Sequence, residues 1–156
     1  MSEDQLIKKT LETSKTIAMV GVSSVKKEIS TNIRRRPSTI VMKYMQDFGY
    51  KVIPVNPSAV GEVIHGETVV ANIEDISIPI DIVDVFRPSK EIPAIANQAV
   101  KIGTKVLWLQ YGIQNEEAEQ IVSKANILYV ANRCIKQEYQ KLFEKSNPVF
   151  PALIKR

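Results

Sequence analysis

The chain has 156 residues, 44% of them hydrophobic and 24% charged, with a formal net charge of +4. Surface scaling for this size leaves roughly 69% of the unfolded surface buried, enough for one self-supporting core over residues 1–156 and too little for two full domains. No run approaches the ~20 apolar residues of a membrane span, the start Met1-Ser2-Glu3-Asp4 has no signal-like basic and apolar regions, and Cys134 with His65 cannot build a disulfide or a four-ligand zinc site.

An amphipathic helix is expected over about 3–13, on the periphery. Residues 16–21, Thr-Ile-Ala-Met-Val-Gly, form an apolar run short enough for a buried strand. A helix over about 39–48 follows from Ile40, Val41, Tyr44, Met45 and Phe48 at helical spacing, with Ser38 as N-cap and Gly49 beyond its end. Residues 51–56 give a second strand, against which Pro54 counts unless the strand is an edge or ends there. A polar loop spans about 56–79, with room for a short strand or helical turn near Val69 to Asp75. Ile80 to Phe86 is the third strand. A helix over about 89–102 stops at Gly103, and Lys105 to Gln110 is the fourth strand. Asn115 caps a helix through Ala125, whose Glu116 and Glu117 suit the helix dipole. Ile127 to Val130 is the fifth strand, and a polar helix over about 136–145 closes the series.

Strands alternating with helices of about ten residues require parallel pairing through right-handed crossovers. Near-continuous apolar strands agree, because such a sheet is covered on both faces. The fold class is α/β: a Rossmann-like doubly wound sheet of about five parallel strands in three layers. Ligands of such sheets bind outside the carboxyl ends of the strands. That rule singles out Gly21, Val22, Ser23 and Ser24; Asn56 and Pro57; Phe86 and Arg87; Gln110, Tyr111 and Gly112; and Asn132, Arg133 and Cys134.

The excess charge is uneven. Lys26, Lys27, Arg34, Arg35 and Arg36 fall within eleven positions, opposed by Glu28 alone. Such a run is a solvated loop or serves an anionic partner, nucleic acid or a phosphorylated small molecule. The turn Gly21-Val-Ser-Ser24 is either a plain strand exit or a phosphate-binding turn: it has the position of a dinucleotide-fold turn without the G-x-G-x-x-G pattern. The second strand ends in Asn56-Pro57 and lacks the acidic ribose ligand of an NAD site. No G-x-S-x-G occurs, and His65, the sole histidine, reads as a surface residue.

Ile17-Ala-Met-Val-Gly-Val-Ser-Ser24, Arg36-Pro-Ser38, Gly49-Tyr-Lys-Val-Ile-Pro-Val-Asn-Pro57, Asp81-Ile-Val-Asp-Val-Phe-Arg87, Lys105-Val-Leu-Trp-Leu-Gln110 and Asn132-Arg-Cys134 occur in the order of a known family. From about 15 to 140 the chain resembles the stand-alone CoA-binding domain proteins, themselves similar to the N-terminal domain of the succinyl-CoA ligase alpha subunit. The resemblance implies coenzyme A as ligand. It would place the pyrophosphate on Gly21, Val22, Ser23 and Ser24, with phosphate contacts from Arg36 and Ser38. Asn56 and Pro57 would line the adenosine end, Val85, Phe86 and Arg87 would flank the nucleotide and pantetheine, and Trp108 to Gly112, Gln110 included, would form the far rim. Trp108 also reads as core filling.

Two departures from the pattern stand out. The basic insert Val25 to Arg35 is longer than the family's, and Tyr111 stands where the ligase has a glutamate before its glycine. The ligase's second alpha domain with its histidine does not fit in 156 residues. The expectation is a cytoplasmic module that binds CoA or a short acyl-CoA without catalysis by the chain alone. The rival readings are an NAD(P)-linked oxidoreductase, a subunit of an acyl-CoA ligase, and a nucleic-acid binder using Arg34 to Arg36. Against the last, no aromatic residues interleave with that basic run. No nucleic-acid or membrane partner is expected, while a homo-oligomer or an acyl-CoA enzyme partner is compatible. Cys134, beside Arg133 and Lys136, either packs its turn or exchanges with the CoA thiol.

Overall fold

The computed structural model describes residues 1–24 and 37–144. Arg36, the basic insert from Val25 to Arg35 and position 145 of the last expected helix lie outside the described residues. The chain begins with α1 (Glu3–Thr13), where Ser2 and Gln5 form a reciprocal capping box. Next come β1 (Thr16–Val20), α2 (Pro37–Asp47) and β2 (Lys51–Val55). A two-residue hairpin, β3 (Val63–Ile64) and β4 (Glu67–Thr68), occupies the expected loop. It turns through His65 and Gly66, both at positive φ, as a two-residue hairpin turn requires. A 3₁₀ turn at Ile73–Asp75 follows, then β5 (Ile82–Val85), α3 (Ile92–Ile102), β6 (Val106–Leu109), α4 (Glu116–Lys124), β7 (Leu128–Val130) and α5 (Ile135–Phe143).

The main sheet has the order β2-β1-β5-β6-β7 and all four pairings are parallel. Strand order therefore reverses between β1 and β5. β2 is an edge strand, which is where Pro54 is tolerated: it stands opposite Met19 and its own carbonyl accepts from the Val70 amide. Two hydrophobic clusters sandwich the sheet. On one face Ile17, Met19, Ile82, Val106 and Trp108 pack against Ile7 and Leu11 of α1, Val41, Met42 and Met45 of α2 and Ile135 of α5. On the other, Ala18, Val20, Val83, Val85, Leu107 and Leu109 pack against Ile92, Ile95 and Ala99 of α3 and Ala118 and Val122 of α4.

The start of α2 needs correction. Ser38 is not an N-cap, because it lies within α2, whose described residues run from Pro37. Ser38 instead lies buried in the first turn. The Asn115 cap of α4 is present, its side chain accepting from the Ala118 amide at 2.8 Å, and Gly103 ends α3 in the left-handed region at φ 72°.

Candidate functional site

The exits of β1, β2 and β5 meet where the strand order reverses. Gly21 leaves β1 at φ 94°, and its amide donates to Val55 O at 2.8 Å. A Cβ on Gly21 would stand 2.8 Å from both Phe86 O and Arg87 Cδ. Only glycine lets the two exits pack this closely. The glycine is therefore needed for the β1 exit to pack on the β5 exit, and Gly21 also lines the cavity that opens beside them.

The rest of the turn is tied down by side chains. The Ser23 amide donates to Ser38 Oγ at 3.0 Å, joining the turn to the first turn of α2. The Ser24 hydroxyl donates to Glu62 Oε2 at 2.6 Å. The Asn56 side chain donates to Val22 O at 2.8 Å while its oxygen accepts from the Ser58 amide at 2.8 Å. Each exit loop is thus fixed by the next.

A cavity of about 310 Å³ opens here, lined by Gly21, Asn56, Pro57, Ile73, Arg87 and Ile95 among others. The Arg87 guanidinium closes bidentately on Glu91, at 2.9 and 2.7 Å, and this pairing holds the cation above its usual range and the Glu91 carboxyl below its own. A second cavity, of about 650 Å³, lies on the opposite face of the sheet between α2 and α5, lined by Pro37, Val41, Phe86, Gln110, Ile113 and Cys134 among others. The residues expected to bind are therefore divided. Gly21, Asn56, Pro57 and Arg87 share the first cavity and Phe86 and Gln110 the second, whereas Val22, Ser23, Ser24 and Ser38 line neither, and Val22, Ser24 and Ser38 are buried. Val85 is fully buried on the α3 face and presents no side chain to either opening.

Trp108 is wholly buried core, and its indole N–H donates to Arg133 O at 2.7 Å, which anchors the β7 exit. Arg133 itself reaches back to Glu3, Asp4 and Glu138. Cys134 is half-buried immediately before α5. His65 is exposed in the hairpin turn, its Nε2 3.0 Å from Thr39 O.

The sequence reading missed Asp84. It stands in β5 opposite Met19 and Trp108, completely buried. Gln110 Nε2 donates to its Oδ1, and Gln110 Oε1 in turn accepts from the Ile135 amide at 3.4 Å. Asp84 Oδ2 has no hydrogen-bond partner among the described residues. Burial pushes the Asp84 carboxyl up to about 8, against a smaller downward pull from Gln110, so it carries a proton at neutral pH. The signal was available: a charged residue at an inward position, in step with Ile82, of a strand covered on both faces.

Residues 15–140 match a family model described as a CoA binding domain. The chain is 39% identical over 130 residues to the uncharacterized protein YneT of Bacillus subtilis (strain 168), spanning 83% of this chain and 89% of that one. A solved Thermus thermophilus structure, cell-free ID.343, superposes with a TM-score of 0.81 at 35% identity, over 91% of this chain and 100% of its own. A hypothetical protein from Pyrococcus horikoshii OT3 gives 0.81 at 36% identity, over 91% and 93% of the two chains. With the strand-order reversal and this match over most of its length in agreement, the chain belongs to the CoA binding domain family.

Proposed function

We propose that the protein binds coenzyme A across the carboxyl ends of β1, β2 and β5 and carries out no chemistry on it alone. The observation that carries this reading is the Gly21 turn, packed without clearance on Phe86 and Arg87 beside a cavity at the reversal point, in a chain of a CoA-binding family. The adenosine end occupies the cavity beside Asn56 and Pro57. The pyrophosphate lies over Gly21 to Ser24, near the first turn of α2, where a helix N-terminus favours an anion. Arg87 supplies a guanidinium fork, which it can offer to phosphate by leaving Glu91.

Several features support a binding role. Asn56, at the ribose-binding position of a dinucleotide fold, has its side chain engaged with Val22 and Ser58 and carries no charge to select NAD. His65 is held at the hairpin against Thr39 and lines neither cavity. No described helix is long and apolar enough to cross a membrane. Under this reading the user of the bound CoA is a separate acyl-CoA enzyme, or a second copy of the chain completes the site.

Calorimetric titration with CoA, dephospho-CoA, NAD, NADP and ATP tests the reading. CoA binds most tightly, and dephospho-CoA loses about tenfold, the share of one charge-assisted phosphate contact. Equal response to all five ligands, or tighter binding of NAD, contradicts it.

A further inference from the structure

We propose that the cavity between α2 and α5 receives the acyl group of a short, uncharged acyl-CoA, with the side-chain amide of Gln110 donating to the thioester carbonyl. This rests on the CoA-binding reading and extends it to the reacting end of the ligand.

Continuity is the first argument. Phe86 links the two openings: its carbonyl packs on Gly21, which lines the first cavity, and Phe86 itself lines the second. The two cavities lie on opposite faces of the sheet, one reaching Ile95 of α3 and the other Val41 of α2. A long ligand with its nucleotide at Asn56 and its pyrophosphate on the Gly21 turn passes over the strand ends, outside the closed Gly21–Phe86 contact, and its far end then enters the second cavity.

The lining decides which far end fits. Pro37, Val41, Phe86 and Ile113 supply apolar walls, and no lysine, arginine or histidine lines the cavity among the described residues. Among the described lining residues a carboxylated acyl group would find no counter-charge for the hydration it gives up, whereas a hydrocarbon acyl group gains from the same walls.

Gln110 supplies the polar contact. It is only 5% exposed yet lines the cavity. Its orientation is fixed from behind on both sides, by Asp84 accepting from Nε2 and by the Ile135 amide donating to Oε1. An amide nitrogen carries two hydrogens. One is committed to Asp84, and under the proposal the other donates to the ligand carbonyl. A buried carboxyl with an unpartnered oxygen is an expensive support for a glutamine. It is intelligible if holding that amide in one orientation serves a ligand, as a second layer of groups fixes the first in other sites. Asp84 is then a positioning residue.

Binding of CoA, acetyl-CoA, butyryl-CoA and succinyl-CoA to the native chain tests this. Each buried methylene is worth about fourfold in affinity. Butyryl-CoA, with two more methylenes, should therefore exceed acetyl-CoA by about fifteenfold, with succinyl-CoA weaker than butyryl-CoA. Equal affinity for CoA and butyryl-CoA, or a preference for succinyl-CoA, overturns the proposal while leaving CoA binding intact. No binding by any of the four overturns the CoA reading itself. Gln110→Leu should lower the butyryl-CoA to CoA affinity ratio about fivefold, the share of the lost hydrogen bond, and an unchanged ratio removes Gln110 from the account. Should that variant fail to fold, Cys134 decides on the native chain. As the single thiol and a lining residue, it should be alkylated by iodoacetamide several-fold more slowly under saturating butyryl-CoA than under saturating desulfo-CoA. Equal rates place the acyl group elsewhere.

Discussion

The two ends of the central strand β5 treat an aspartate in opposite ways. At the amino end, Asp81 Oδ2 accepts from the Lys15 and Thr16 amides at 2.7 and 3.1 Å, and Oδ1 pairs with Lys105 at 3.3 Å. Partial burial pulls this carboxyl up, but those donors more than offset it and leave it below its ordinary range. At the carboxyl end, Asp84 has one donor, an oxygen without a partner among the described residues and complete burial, and it is held well above that range. Around Asp81 the amino end is tied by further hydrogen bonds, the Tyr50 hydroxyl donating to Leu11 O and the Thr104 hydroxyl to Asp81 O, although a cavity of about 270 Å³ opens beside Tyr50 and Phe143 and Ser14 Oγ has no partner among the described residues. The two aspartates of one strand thus differ in how many donors the fold gives them, and the poorly supplied one lies at the end where ligands of such sheets bind.

The largest break in this contrast comes from Gly21→Val. A β-branched side chain at φ 94° whose Cβ meets Phe86 O at 2.8 Å combines backbone strain with overpacking. Together these should cost about 4 kcal/mol, seen as a drop in Tm of roughly 10 °C. An unchanged melting curve would mean the two exits separate freely.

Asp84→Asn separates the two aspartates by pH. The folded chain holds a proton on Asp84 that the unfolded chain releases above about pH 4. The stability this contributes is complete below that point and is lost as the pH climbs towards about 8. Relative to Asp84→Asn, the native chain should therefore weaken between about pH 5 and about pH 8, on the order of 3 kcal/mol in urea unfolding. A difference independent of pH would contradict a buried, protonated acid.

Asp81→Ala has the opposite sign. Its carboxylate contributes above the ordinary carboxylate pKa and loses that contribution as acid protonates it. The variant should cost about 2 kcal/mol near neutral pH, and the difference should shrink below about pH 4. Ser38→Ala is the mildest change. It removes the acceptor for the Ser23 amide, should lower stability by about 1 kcal/mol, and loosens the turn at the binding end alone.

Most of this architecture was legible in the sequence because the five parallel strands are short apolar runs and the helices carry a 3.6-residue period. Gly103 and Asn115 end and begin their helices as their chemistry demands. The β3–β4 hairpin was not legible, since strands of two residues have no period to detect. Ser38 was misread because serine is a common capping residue, whereas here it sits inside α2. The site divides similarly. Gly21 and Gln110 declare themselves by position at strand exits, while Asp84 does not, because a count of apolar positions passes over one acid within a strand. That cavities open on opposite faces at the carboxyl ends follows from where α2, α3 and α5 pack, which no local pattern encodes.

The central claim, that the carboxyl end of the sheet holds the CoA, is tested most directly by mapping backbone amide shifts during a CoA titration of the isotopically labelled chain. The account predicts the largest changes at Gly21 to Ser24, Asn56, Ser58, Phe86 and Arg87, with Lys15, Thr16, Asp81 and Thr104 at the amino end unmoved. Changes confined to the amino end, or none at saturating CoA, would contradict it.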